Sequence, residues 1–159
     1  MVADHGTLAS ETAELQRVTD LLGGGRVFKH RIKRHLDVHD VLIHGLPGEA
    51  VIHLDDNLVA LRDFASLERA MGMSLRTFQR LKGAPAKPLN QEQSGRTWKF
   101  AEILAKATAV LGSQEEAEHW LERREIGLEQ RRPIDLLATP AGAQIVEEYL
   151  ERLEYGVYT

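Results

Sequence analysis

Apolar side chains recur at intervals of three and four residues along most of this chain, the spacing that places them on one face of an α-helix. The final segment shows this pattern most clearly. Its apolar positions are Ile145, Val146, Tyr149, Leu150 and Leu153. Before this stripe, Thr139 and Pro140 supply a side-chain N-cap and a proline at the first helical position, and Gly156 after it suits the left-handed conformation that ends many helices. The pattern predicts an all-α protein.

The same spacing predicts further helices upstream. These run from Glu11 to Leu22, from an N-cap at Asp37 to a stop at Gly45, from Glu49 to Asp55, from an N-cap at Asn90 to Leu111, and from an N-cap at Ser113 through Trp120. Residues 1–10 show no pattern and are expected to be disordered, and the basic run Arg26–His35 is expected to be extended. Glycine and proline between Lys82 and Pro88 predict a linker.

Residues 62–82 predict a helix-turn-helix. A first helix through Phe64, Leu67, Ala70 and Met71 meets a break at Gly72, and Ser74 caps a second helix. In the second helix Leu75, Phe78 and Leu81 are expected on the core side, with Arg76 and Arg80 nearly opposite. A small residue usually lies four positions before the turn glycine. Here that position is Glu68, so Ala70 is expected to provide the close approach of the two helices.

The exposed side of this second helix predicts DNA contacts. Paired guanidinium groups one turn apart, with hydrogen-bonding neighbours, suit phosphate oxygens and guanine edges. The alternative is a solvated basic face without a ligand. The candidate DNA-binding residues are Ser74, Arg76, Thr77, Gln79, Arg80 and Lys82.

Composition and charge narrow the class of protein. The chain has 159 residues, 43% of them hydrophobic and 28% charged, as expected for a folded soluble protein. The net charge of −4 divides into −3 for residues 1–61, +5 for residues 62–99 and −6 for residues 100–159. The basic middle suggests nucleic acid as its partner. With no cysteine, no apolar run of membrane-spanning length and no leader-like start, we expect a cytoplasmic protein without disulfides.

The sequence contains no complete pattern for a metal site or a catalytic site. Five of the seven histidines lie between His30 and His53, and His35 and His39 are four residues apart, but no third ligand completes a zinc pattern. Gly23-Gly24-Gly25 follows a helix and lacks the lysine–serine pair of a phosphate-binding loop. The acidic pairs Glu115/Glu116 and Glu147/Glu148 are adjacent in sequence, instead of facing one another across a cleft as general acid–base catalysis requires. We therefore expect no metal, no cofactor, no small-molecule substrate and no enzymatic activity.

The second half of the chain resembles the toxin-binding domain of the Xre/MbcA/ParS antitoxins. The resemblance rests on residues 89–94, Trp98–Leu104, Gly112-Ser113, Ala117, Trp120-Leu121, the run Arg131–Thr139, Gly142 and the closing Glu154–Tyr158. Gly45-Leu46-Pro47 and Ser74–Arg80 resemble the N-terminal halves of the same proteins. The resemblance covers about residues 20–159 and divides the chain into 1–36, an N-terminal helix and basic segment, 37–88, a helix-turn-helix domain, and 89–159, a toxin-binding domain.

This resemblance implies a function. Members of the family pair with RES-domain toxins, which resemble ADP-ribosyltransferases and deplete cellular NAD. The antitoxin binds the toxin directly, represses the operon that encodes both proteins, and self-associates as a dimer or higher oligomer. An alternative is a stand-alone helix-turn-helix transcriptional regulator whose C-terminal half only dimerises, and the absence of a RES-domain gene beside this one would favour it.

The expected toxin-binding residues cluster at the end of the chain. They are Glu148, Glu151, Arg152, Tyr155, Gly156, Val157, Tyr158 and Thr159. Under this hypothesis Tyr158 and the terminal carboxylate enter or cover the NAD pocket of the toxin. The alternative is that Tyr155 and Val157 fold back as a hydrophobic C-cap. In the run Arg131–Thr139, the side chains of Arg131 and Arg132 are expected to be solvated. Asp135 is expected near the N-terminus of the helix that follows Pro133, where a carboxylate is favourable through the helix dipole and capping.

Overall fold

The computed structural model describes residues 5–156. Within that range the backbone forms α1 (His5–Leu21), α2 (His35–His44), α3 (Gly48–Asp56), α4 (Phe64–Met71), α5 (Leu75–Gly83), α6 (Gln91–Leu111), α7 (Gln114–Glu122), α8 (Pro133–Leu136) and α9 (Pro140–Glu154). Single 3₁₀ turns lie at Gly24–Arg26 and Ile126–Leu128. These residues contain no strand, and the predicted all-α class is confirmed.

The long helix α6 lies at the centre of the fold and contacts α1, α2, α4, α7 and α9. Phe100, Ile103 and Leu104 on this helix have no solvent exposure. Asn90 is the N-cap as predicted, in a reciprocal capping box with Gln93, and the helix ends at Leu111 as predicted, before Gly112 with φ of 102°. Because so many helices pack on α6, the two halves of the chain share one hydrophobic core.

Two predictions about the N-terminal region are corrected. The first helix begins at His5 instead of Glu11, so residues 5–10 are helical, and residues 1–4 lie outside the described range. Asp37 is not the N-cap of α2, because Arg34 occupies that position. The Asp37 carboxylate lies three residues further on and accepts hydrogen bonds from the backbone N–H groups of Lys33 and Arg34, each at 3.0 Å. These bonds hold its pKa below the ordinary value.

The predicted linker between Lys82 and Pro88 is fixed to the start of α3. The backbone N–H groups of Gly48 and Glu49 donate to the carbonyls of Lys87 and Pro85, at 3.0 and 2.9 Å. These donors would otherwise have no partner at a helix N-terminus. None of the helices within residues 5–156 is long and apolar enough to cross a membrane.

Candidate DNA-binding and toxin-binding surfaces

Helices α4 and α5 form the predicted helix-turn-helix. Gly72 between them has φ of 65°, which favours glycine, and a Cβ atom there would meet the Arg96 side chain. Ser74 caps α5, since its hydroxyl accepts the backbone N–H of Thr77 at 3.1 Å. Ala70 is 1% exposed and Glu68 is exposed. This is consistent with the expectation that Ala70, instead of the residue at position 68, provides the close approach of the two helices.

Arg96 of α6 supports this motif, and no local pattern in the sequence distinguishes it. Its guanidinium donates to the carbonyls of Ala70, at 3.2 Å, and Arg69. These carbonyls lie in the last turn of α4, where helical partners are missing. The arginine therefore caps the first helix of the motif and occupies the space left by Gly72.

The outer face of α5 carries the candidate DNA-binding side chains. Arg76, Gln79 and Arg80 are exposed, and Thr77 is half-buried and accepts a hydrogen bond from Arg80 at 3.4 Å. The ammonium group of Lys82 lies 4.9 Å from the centre of the Phe78 ring, so its stem covers the edge of the core. The outer face of α5 thus presents a row of side-chain hydrogen-bond donors to solvent.

The prediction that Leu75 lies on the core side of α5 is wrong. Phe78 and Leu81 are buried, and Phe78 packs against Phe64 at 5.5 Å between ring centres, whereas Leu75 is 48% exposed. At 100° per residue, Leu75 lies about 90° from the middle of the face formed by Phe78 and Leu81. It therefore borders the donor row instead of the core.

A polar cluster joins the helix-turn-helix to the segment before α9. Arg132 donates two hydrogen bonds to the Asp135 carboxylate, both at 2.9 Å, and a third to the hydroxyl of Ser66 in α4, at 3.1 Å. Arg69 of α4 lies 3.5 Å from the same carboxylate. The expectation of a solvated Arg132 is wrong, since its side chain is 22% exposed and donates these three hydrogen bonds. Asp135 lies in the first turn of α8, near the helix N-terminus as expected, but its side chain makes no capping hydrogen bond, and both of its oxygens accept from Arg132.

Asp135 makes a pH-dependent contribution to stability. Hydrogen bonding to Arg132 holds the pKa of Asp135 below its ordinary value, with partial burial acting in the opposite direction. A depressed carboxyl pKa stabilises the fold above the unfolded-state value, about 3.9, and this contribution disappears as pH falls through the folded-state pKa.

We therefore expect Asp135→Asn to lower the free energy of unfolding by about 1 kcal/mol at pH 7, a figure discounted for solvent exposure of the pair. The difference from the parent protein should shrink once the pH falls below about 4. Urea denaturation across this pH range measures both effects. Glu129→Gln is the matched control. Glu129 is 84% exposed, and its ion pair with Arg131 is long, at 3.8 Å, so the loss of its charge should change stability little. A difference that does not change with pH would contradict this account.

A buried carboxylate holds the loop that leads into α4. Glu118 of α7 has no solvent exposure. One of its oxygens accepts the backbone N–H groups of Val59, Ala60 and Leu61, at 2.9, 2.9 and 2.8 Å. The other oxygen accepts the Gln114 side chain at 2.9 Å. Helix α7 of the C-terminal half thereby fixes the loop that leads into the helix-turn-helix.

An aromatic assembly supports the surface of α9. Tyr149 stacks on Trp120 with 6.1 Å between ring centres, and both donate to the Glu125 carboxylate, at 3.0 and 3.1 Å. Burial raises the pKa of the Tyr149 hydroxyl, and its hydrogen bond to Glu125 raises it further. Gly127 lies directly against the Tyr149 ring, where a Cβ atom would overlap it. The assembly fixes the 3₁₀ turn next to α9.

Large apolar side chains remain exposed around this assembly. Ile126 on the 3₁₀ turn is 80% exposed, Tyr155 at the end of α9 is 77% exposed, and Ile145 is 47% exposed. Ile145 was predicted to belong to the apolar stripe. It lies about 100° around the helix from the buried Val146, at the margin of that stripe. Ile126 was missed because it lies between Glu125 and Gly127, outside any helical periodicity.

The other expected toxin-binding residues lie on the same helix. Glu148 is exposed and accepts a hydrogen bond from Gln144, Glu151 pairs with Lys106 at 3.0 Å, and the Arg152 guanidinium lies 5.8 Å from the centre of the Tyr149 ring. Gly156 has the predicted left-handed conformation, with φ of 68°. Val157, Tyr158 and Thr159 lie outside the described residues.

Two family models match this chain. The antitoxin Xre-like helix-turn-helix domain matches residues 37–102, and the antitoxin Xre/MbcA/ParS C-terminal toxin-binding domain matches residues 106–156. Together they cover most of the chain. It belongs to the Xre/MbcA/ParS antitoxin family. No curated protein matches it significantly.

The antitoxin assignment gives both surfaces a partner. The helix-turn-helix with its exposed arginines lies in the first match, which implies DNA binding, and α9 with Tyr155 lies in the second, which implies a toxin partner. The resemblance inferred from the sequence is confirmed. The toxin-binding match disfavours a stand-alone regulator whose C-terminal half serves only dimerisation.

The histidine-rich region of the antitoxin forms another kind of contact. Among the side chains that the structure describes, in residues 9–156, no three His, Cys, Asp or Glu come together as metal ligands. The ring of His35 contacts the carboxylate of Glu11 in α1, and His39 is exposed. His35 thus links α2 to α1.

Proposed function

We propose that this antitoxin neutralises a RES-domain toxin by binding it directly, prevents NAD depletion, and represses the operon that encodes both proteins. The observation that carries the proposal is the toxin-binding match over residues 106–156, which contains the exposed aromatic end of α9. The RES class of the toxin comes from the resemblance of the run Arg131–Thr139 and of the closing residues. In this proposal the antitoxin itself performs no chemistry.

The proposed toxin-binding surface comprises Glu148, Glu151, Arg152, Tyr155 and Gly156 with the adjoining residues 157–159, and the structure adds Ile126 as a candidate. Exposed tyrosine and isoleucine side chains next to a polar rim are typical of the centres of protein interfaces. Tyr155 is 77% exposed, which argues against the alternative of a tyrosine folded back as a hydrophobic cap. Its burial would therefore require a partner.

The charge of the toxin-binding half supports association with a basic surface. Residues 100–159 carry a net charge of −6. Lys106 and Lys99 are paired with glutamates within the chain, so the local field around α6 and α9 is dominated by carboxylates. Complementary charge accelerates encounter and selects partners. We propose that this field directs the antitoxin toward a basic face of its toxin.

Repression is proposed to proceed through α5. A recognition helix in the major groove places its N-terminal side chains on base edges, and a dimer places two such helices one helical turn apart. Ser74, Arg76, Thr77, Gln79, Arg80 and Lys82 are the proposed contacts. We propose a homodimer or higher oligomer, since a single short helix offers few contacts for operator selection.

Replacing Tyr155 with alanine tests the toxin-binding proposal. We expect the variant to keep its stability, because the side chain is 77% exposed, and to bind the toxin about 30-fold more weakly, the loss typical of one aromatic anchor. A chain ending at Gly156 should lose further protection. The measurement is intracellular NAD after co-expression with the protein encoded beside this gene, and circular dichroism reports the fold.

Leu36→Ala is the matched control for Tyr155→Ala. Leu36 is 56% exposed on α2, outside the proposed toxin-binding surface, so its loss should leave protection unchanged. Full protection by both Tyr155→Ala and the shortened chain would place the toxin contacts elsewhere. Absence of any NAD change on expressing the neighbouring protein alone would remove the RES assignment.

A further inference from the structure

A basic strip, defined here as residues 26–34, crosses the surface between α1 and α2. It contains Arg26, Lys29, Arg31, Lys33 and Arg34 and has no acidic residue. All five basic side chains are exposed. The two family matches begin at residues 37 and 106, so neither domain description assigns the strip a role.

Apolar side chains within the strip fasten it to the body of the protein. Ile32 is 5% exposed, and Val27 and Phe28 pack against the core. The Phe28 ring meets Trp98 of α6 edge to face, with 6.4 Å between ring centres. At its far end, Asp37 accepts the backbone N–H groups of the last two strip residues. The basic side chains thus project from a fixed backbone, which reduces the entropy lost on binding.

Most of the positive charge of the strip is unpaired. Arg34 lies 3.2 Å from Asp37. For the other four basic side chains, no ion pair forms with any carboxylate in the described part of the chain. Unpaired cations on neighbouring positions of a fixed backbone repel one another, and a polyanion relieves that repulsion.

The helix-turn-helix domain alone has no excess of positive charge. Residues 37–102 contain eight Lys/Arg and nine Asp/Glu, a net charge of −1. Three of these cations are already engaged within the protein, namely Arg69, Arg96 and Lys99. Inclusion of the strip gives thirteen Lys/Arg against nine Asp/Glu, a net charge of +4 for residues 26–102. DNA affinity depends strongly on such phosphate-neutralising charge.

The strip begins beside the C-terminal end of α5. Arg26 and Lys82 line the same cavity, together with Glu49 and Asp56 of α3. The expectation of an extended run from Arg26 to His35 is corrected at both ends. Arg26 ends a 3₁₀ turn, the backbone N–H of Phe28 donates to the carbonyl of Gly24 at 2.9 Å, and His35 begins α2. The start of the strip lies where it can contact a phosphate backbone that passes the C-terminal end of α5.

We propose that the basic strip is a second DNA-contacting element, which binds phosphates beside the site read by α5. The inference rests on the proposed DNA binding by α5 and extends it. Lysine and arginine contacts to phosphates position a protein on the duplex without carrying sequence information. The strip therefore adds affinity and salt dependence, and α5 supplies the choice of sequence.

The test replaces Lys29, Arg31 and Lys33 together with glutamine, which leaves the anchoring residues Phe28 and Ile32 in place. Binding is measured by fluorescence anisotropy on a duplex of about 30 base pairs from the region upstream of this gene, long enough for two half-sites and their flanks. A scrambled duplex of equal length gives the non-specific affinity. Both are titrated over a range of salt concentrations.

We expect the triple variant to bind both duplexes about 10- to 100-fold more weakly, with a salt slope smaller by about 2 to 3, while the ratio between the duplexes stays constant. The matched control removes three exposed arginines elsewhere, Arg17, Arg123 and Arg131, and should change affinity little. Unchanged affinity and slope in the strip variant would overturn the proposal, as would an equal loss in the control.

Two further outcomes separate this proposal from the proposed function. If Arg76→Ala with Arg80→Ala abolishes sequence-specific binding and the strip variant has no effect, the strip inference alone fails. If neither variant affects binding, the assignment of DNA contacts to α5 fails as well. Loss of toxin protection with intact DNA binding in the strip variant would show that the strip serves the toxin, which also contradicts the proposal.

Discussion

Replacing Glu118 with alanine is expected to lower the free energy of unfolding by about 3 kcal/mol, a large fraction of the stability of a domain this size. The carboxylate is completely buried and accepts three consecutive backbone N–H groups, of Val59, Ala60 and Leu61. Without it these donors lose their partner, and each unsatisfied buried donor costs about 1 to 3 kcal/mol. Val59 is 53% exposed, so water can reach its backbone N–H after the substitution. The expected loss of about 3 kcal/mol is therefore near the lower end of the range for three donors.

Urea denaturation at neutral pH measures this loss, and two further variants interpret it. Glu118→Gln keeps the shape and one accepting oxygen but brings an amide donor toward backbone donors, so its loss should be smaller than that of alanine. Glu116→Ala on the same helix is the control, because its side chain is exposed and its removal should cost no more than about 0.5 kcal/mol. Equal stability of Glu118→Ala and Glu116→Ala would disprove the role of the buried carboxylate.

Replacing Arg76 and Arg80 together with alanine is expected to reduce operator binding by at least about 100-fold, because each lost base or phosphate contact costs about 1 to 3 kcal/mol. Both side chains are exposed on the face of α5 opposite Phe78 and Leu81, so the fold should be unaffected. Protection against the toxin should also persist, since the proposed toxin-binding surface lies on α9.

Gel shifts at fixed salt with the upstream duplex measure this effect. Arg123→Ala with Arg124→Ala is the matched control, which removes the same charge from an exposed segment between α7 and the following 3₁₀ turn. Operator affinity that is unchanged in the α5 variant would exclude this helix as the reading element. A parallel loss of toxin protection would instead indicate a damaged fold.

The features that the sequence predicted correctly depend on neighbours within a few residues. Ser74, Asn90, Ser113 and Thr139 were each predicted to cap a helix, and each side chain accepts the backbone N–H three residues later. The cap, the glycine stop and the helical period are all local chemistry. For the same reason the helix-turn-helix could be located with Gly72 at its turn.

The features that the sequence missed are contacts between distant polar residues. Glu118 binds backbone donors 57 to 59 positions away, and Arg132 binds Ser66, 66 positions away. A charged residue is usually solvated, so nothing local distinguished Glu118 or Arg132. Leu75 and Ile145 were misplaced for another reason. Each lies at the edge of an apolar stripe, where the shape of the neighbouring helices decides burial.

The course of α6 limits how such a protein can be divided. The helix-turn-helix match ends at residue 102 and the toxin-binding match begins at residue 106, yet both positions lie inside one uninterrupted helix, Gln91–Leu111. A recombination event at that boundary would place side chains from two parents on one buried helix, with Ile103 and Leu104 facing a foreign core. Exchange of toxin specificity between relatives is therefore expected to proceed by changes on the surface of α9 or by transfer of the whole gene.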